Sequence, residues 1–297
     1  MKQIDTRLQF LRKYQVELEE WAPPVSVVLV VLCVFCLAMI NYRVGYMNRE
    51  YSANRDSLVE AMQEVAPVVE SMDGDVVEPM GDEEPEITLP PAEMTAQMTE
   101  VYTRNDDSIG WLKIDGMVID YPVMQTMDDE EYYLNRDFEG NYSAYGCILA
   151  DTDATIGTGT LANDYHDGTR PSTNIILHGH NMKNGTMFGS LDDYRSQDFE
   201  QKHPIIKFSS LYEDREYEIC SVFLSQVYRK SDDVFKYYKF FNAENEDEFN
   251  DFYNNIKELA LYDTGVEASY GDEFITLSVC AYHVENGRLV VVGKRIK

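Results

Sequence analysis

The chain has 297 residues, with 53 acidic side chains against 25 basic ones and a formal net charge of −28. That balance excludes general nucleic-acid binding, because phosphate recognition needs clustered lysine and arginine. The five cysteines do not make a disulfide framework.

Residues 1–20 are a polar N-terminal segment that reads as cytoplasmic. Trp21–Tyr42 is an uncharged stretch of 22 residues, enough as a helix to cross a bilayer core of roughly 30 Å. Its two ends carry Trp21 and Tyr42, where interfacial aromatics belong. Lys2, Arg7, Arg12 and Lys13 precede the span and Arg43, Arg49 and Arg55 follow it. The bias places the N-terminus in the cytoplasm and the C-terminal bulk outside a cell membrane crossed once. Cys33 and Cys36 fall inside this span and read as packing residues. Residues 43–60 continue as a helix, and 43–95 as a whole form a juxtamembrane segment and linker. Between Ala61 and Thr95 there are ten Asp or Glu, no Lys or Arg, and five of the chain's ten prolines. Such a stretch buries too little apolar surface to order itself.

Residues 96–297 are the folded domain, long enough for one sizeable core. A short helix is predicted before Ser108. Strand-like runs follow, each bounded by turn residues: GWLKI, MVIDYPVM, GCILA, TNIILHG, IIKFSS, REYEICSVFLSQVY, FITLSV and RLVVVGKRI. Eight short strands with little helix predict a mainly β barrel or sandwich. One helix interrupts them over Glu244–Tyr262, where Phe249, Phe252, Tyr253, Ile256, Leu259 and Ala260 keep helical spacing. The segment 152–173 ahead of the fourth strand is rich in Gly and Thr and has no assigned role.

Cys280 ends an apolar strand, and Arg288 opens the next one after the loop AYHVENG. Two readings stay open for Cys280, a packing thiol and a nucleophile served by the arginine. Cys147 and Cys220 lie within strand-like runs and read as core. Of the five histidines, His178 and His180 flank Gly179 at another strand end, one on the strand side and one on the loop side. His283, three residues from Cys280, competes as a base. His166 and His203 read as surface, and His178, His180 and His203 with a carboxylate are an alternative zinc set.

These pieces together resemble a class B sortase over nearly all of residues 96–297. NIILHGHNMKNGTMFGSLDDY is similar to the family's histidine segment, FITLSVCAY to its T-L-x-T-C strand, and NGRLVVVGKRI to its arginine strand. The resemblance implies an eight-stranded β-barrel with an N-terminal helix and a second helix between the sixth and seventh strands. It implies Cys280 as nucleophile, His180 as general acid and base, and Arg288 as the oxyanion or substrate-positioning group. Leu134 and Ser278 are implied as substrate contacts. No metal or organic cofactor is required. The implied partners are secreted proteins bearing a sorting motif, cleaved after threonine through a thioacyl enzyme, and an amine of a peptidoglycan precursor or pilin. A wall-associated cysteine peptidase and a non-catalytic, membrane-tethered binding module are the alternatives. One departure stands out: Val279 precedes the cysteine where the family has threonine.

Overall fold

The protein is described from a computed structural model covering residues 30–43, 45, 46, 49, 52, 56, 59 and 89–297. The chain divides into two units, Met1–Glu60 and Ala61–Lys297. In the first, residues 30–43 are helical. Among the described residues no helix is long and apolar enough to cross a membrane. The expected span over 21–42 lies partly outside the described residues; segment 1–20 and linker positions 61–88 lie wholly outside them.

The second unit starts its regular structure at helix α1 (Ala96–Arg104), capped by Thr95, whose hydroxyl accepts from Met98 N at 3.3 Å. The eight expected strands all form: β1 (Ser108–Lys113), β2 (Asp120–Met124), β3 (Ile148–Ala150), β4 (Asn174–Gly179), β5 (Ile205–Ser210), β6 (Asp214–Gln226), β7 (Phe274–Cys280) and β8 (Gly287–Arg295). They close into a barrel in the order β1-β2-β3-β4-β7-β8-β6-β5. The β2–β3 and β4–β7 pairs are parallel. A one-turn helix α2 (Gln197–Glu200) precedes β5, and α3 (Glu246–Glu258) lies between β6 and β7.

Strand β8 shows why the sequence closes this way. Its run from Leu289 to Val292 is buried throughout, because one face fills the barrel and the other is covered. Strands covered on both faces are continuous apolar runs rather than alternating ones. The cover is α3, whose Phe249, Phe252, Tyr253 and Ile256 pack with Phe223, Phe274, Val290 and Val292. Asn245 caps that helix by accepting from Glu248 N at 3.0 Å, while Glu248 reaches back to Glu244 N at 2.9 Å. The helix is shorter than its predicted stripe. It ends at Glu258, and Leu259 is 42% exposed. Leu261 N binds Val222 O at 2.8 Å, so the backbone is drawn onto β6 before another turn can form.

Segment 152–173 is ordered against the barrel. Asp167 accepts from Thr160 N, Thr160 Oγ1 and Asn163 Nδ2 at 2.6–2.8 Å, which closes the loop on itself. Tyr165 then projects into a buried ionic cluster, donating to Glu273 Oε1 at 2.6 Å and accepting from Arg295 Nη1 at 2.7 Å. Ala92 N binds Asp167 O and Thr95 N binds Leu211 O, each at 2.9 Å. The tail of the expected linker therefore already packs on the domain before α1.

Candidate active site

β4 and β7 run parallel, and their register pairs His178 with Ser278 and Gly179 with Val279. The ladder stops there, so His180 and Cys280 leave the barrel side by side from neighbouring strands. On its other flank Cys280 is the register partner of Arg288 in β8. Three residues separated by up to 108 positions thus meet at one rim of the barrel because β4, β7 and β8 are adjacent.

Each side chain has a different setting. Cys280 is exposed. His180 Nε2 lies 2.8 Å from Leu134 O. A carbonyl only accepts, so Nε2 donates this bond and Nδ1 is the ring nitrogen outside it. Leu134 belongs to a 3-10 turn (Tyr132–Asn135) held from behind: Tyr133 Oη donates to Asp107 Oδ2 at 2.9 Å and Tyr133 O accepts from Cys147 N at 3.0 Å. Gly146, at φ +60°, lies so close to the backbone of Tyr133 and Leu134 that a Cβ there would collide with it. Arg288 Nη1 donates to Gly287 O at 3.0 Å and Asn286 O at 3.3 Å. Both acceptors are neutral, so the guanidinium charge is left for an anion.

Ser278, expected as a substrate contact, is 2% exposed, and its hydroxyl is 2.8 Å from Tyr237 Oη. It braces β7 from within rather than lining an open surface. The Tyr237 hydroxyl is pushed up to about 12 by burial, against the Ser278 hydrogen bond and the charge of Arg288. It therefore remains a neutral hydroxyl beside the thiol. Its only sequence signal is the aromatic run Tyr237–Phe241. Val279 is 2% exposed and lies on the opposite face of β7 from Ser278 and Cys280. Its departure from threonine therefore alters the opposite side of the strand from the thiol.

The remaining candidates fall elsewhere. Cys147 and Cys220 are buried, and desolvation pushes both thiols up, Cys220 to about 12. Neither forms a thiolate at neutral pH. His178 Nε2 is 3.3 Å from Asp151 Oδ2. Burial works against that carboxylate, but the bonds from His178 and Asp153 N together with the charge of Lys239 hold it below the usual range. His203, expected at the surface, is half-buried: Nδ1 meets Asp115 O at 2.8 Å and the ring packs on Phe199. The space beside Gly116 admits that ring. His283 is exposed and rests near Gly287 of its own loop. His178, His180 and His203 of the alternative zinc set face three different partners, and among the described residues no group of three or more His, Cys, Asp or Glu is placed to hold a metal ion.

An exposed thiol, an imidazole and a guanidinium gathered at the ends of adjacent strands can carry acyl transfer through a thioester. The comparisons point to the same class. Residues 112–296 match the Sortase domain family. Sortase B of Listeria monocytogenes is 32% identical over 206 residues, spanning 69% of this chain and 76% of that protein. The structure is similar to sortase B from B. anthracis in complex with AAEK1, with a TM-score of 0.61 and 27% identity over 84% of this chain and 99% of that one. It is also similar to the Staphylococcus aureus sortase B–substrate complex, with a TM-score of 0.57 and 29% identity over 69% and 87% of the two chains. The chain belongs to the sortase family, and its relatives place it in class B. It is a cysteine transpeptidase.

Proposed function

We propose that this enzyme cleaves a C-terminal sorting motif of secreted proteins after threonine and joins the threonine to an amine of a peptidoglycan precursor or a pilin. The thiolate of Cys280 attacks the threonine carbonyl. The tetrahedral oxyanion collapses to a thioester as His180, protonated on Nδ1, gives that proton to the departing amine. His180 then takes a proton from the incoming amine as it displaces Cys280 and restores the peptide bond, so the steps are balanced without an outside reagent. Arg288 turns from the carbonyls of its own loop to the oxyanion. A unit charge at about 4 Å and an effective dielectric constant of roughly 20 is worth on the order of 4 kcal/mol. Leu134 orients the imidazole through its carbonyl, and its half-buried side chain borders the peptide. Ser278 supports the wall from behind through Tyr237.

The observation that carries this reading is the register, which sets Cys280 between the strand end before His180 and Arg288 itself. The N-terminal segment is proposed to anchor the enzyme as a single membrane helix, with the catalytic domain on the extracellular face. A library of threonine-containing pentapeptides, incubated with and without an amine acceptor, tests the reaction. Product mass should shift by the acceptor when it is present. Hydrolysis products alone, whatever the acceptor, would make the enzyme a peptidase.

A further inference from the structure

The β4–β7 ladder ends at Gly179 and Val279, one residue short of the acid–base group and the nucleophile. Beyond it the two chains enter separate loops. On one side His180 O accepts from Phe188 N at 3.0 Å, and Asn181 bridges Met187 to close a hairpin. On the other, Ala281 N binds Gly287 O at 2.9 Å and the chain turns toward β8. Nothing in the strand pairing itself holds His180 at a set distance from Cys280.

The side chain of Asn181 crosses this gap. Its Nδ2 donates to Cys280 O at 2.7 Å, a bond between residues 99 apart in sequence. Asn181 adjoins His180, and the acceptor is the nucleophile's own carbonyl, so the bond continues the ladder by one rung. The imidazole is then fixed twice, its ring by Leu134 O and its backbone by this rung. Reacting groups tolerate little error, and a misplacement of about 1 Å can cost on the order of 10² in rate.

We infer that Asn181 is a positioning residue of this transpeptidase, holding His180 to Cys280 through the nucleophile's main chain. The inference rests on the catalytic roles proposed above and extends them to a residue that touches neither substrate nor reacting atoms.

The experiment compares wild type with Asn181→Ala and Asn181→Asp in pentapeptide turnover, Cys280 alkylation by iodoacetamide and thermal unfolding. Loss of the rung should lower kcat by roughly 10- to 10²-fold, leave KM near its wild-type value and hardly move the unfolding midpoint. Alkylation needs no proton donor for a leaving amine and should stay close to wild type. Asn181→Asp is nearly isosteric and places an ionised acceptor against the carbonyl. At neutral pH it should be at least as impaired as Asn181→Ala. Relative to wild type it should recover as the pH falls toward about 4, where a protonated carboxyl again donates. This variant carries the test if Asn181→Ala does not fold. Wild-type kcat in Asn181→Ala, or no acid recovery in Asn181→Asp, would overturn the positioning role. Absence of turnover in the wild type as well would instead defeat the underlying assignment of the site.

Discussion

Strand β8 carries an arginine near each end, and their surroundings differ completely. Arg295 is 8% exposed and enclosed by partners. It donates to Glu273 Oε2 at 2.8 Å, to Tyr165 Oη at 2.7 Å and to Lys297 O at 2.9 Å, and pairs with Glu213 Oε1 at 2.9 Å. Arg215 joins the cluster through Glu213 at 2.8 Å. Among the described residues Arg288, at the other end, is met by two carbonyls of its own loop and by no carboxylate. What sets Arg288 apart from the chain's other unpaired cations is its place, as the register partner of the exposed Cys280. A buried cation ringed by carboxylates belongs to the fold, and one left with neutral acceptors at the rim is available to bind a developing anion.

If that contrast is right, the two arginines should fail in different ways. Arg295→Ala leaves Glu213 with Arg215 and Glu273 with the Tyr165 hydroxyl and a longer contact to Arg170, and breaking a buried pair costs about 3–5 kcal/mol. Denaturant unfolding should show this loss, with turnover per folded molecule retained. A stable Arg295→Ala protein would mean that the cluster is not structural.

Arg288→Lys keeps the charge and removes the planar fork. The expected result is a loss of turnover of about 10²–10³ with an unchanged unfolding midpoint. Turnover equal to wild type would reduce Arg288 to a point charge.

A smaller version of the contrast separates the histidines on either side of Gly179. His178 is committed to Asp151, so Asp151→Asn should cost on the order of 1 kcal/mol of stability. The folded carboxyl lies below its ordinary value of 3.8, so its contribution is present above that pH and disappears as pH falls through the lowered folded value. The gap between wild type and variant should be full near pH 6 and close in strong acid. A gap that ignores pH would place the effect in packing.

How much of this could be read from the chain follows the range of the interactions. Apolar runs bounded by turn residues marked all eight strands, and the stripe in 246–258 marked α3, because both signals are local periodicities. The stripe overran at Leu259 because the contact that ends the helix, Leu261 N to Val222 O, is long-range. Cys280, Arg288 and His180 were legible as strand-end residues bearing reactive groups. The contacts that hold them were not, although the resemblance named Leu134 in another role, as a substrate contact. Leu134 acts on His180 through a main-chain oxygen 46 residues away, and Asn181 acts on Cys280 across 99. Segment 152–173 was opaque for the same reason, since Tyr165 finds its partners 108 and 130 residues downstream.

The central claim is that the exposed thiol at the β7 end, and neither buried one, forms the covalent intermediate. The direct measurement is peptide mapping of the enzyme quenched during turnover of a threonine-containing sorting peptide. The acyl group should be found on Cys280 alone and should disappear when an amine acceptor is added. An acyl group on Cys147 or Cys220, or continued turnover by Cys280→Ala, would contradict the account.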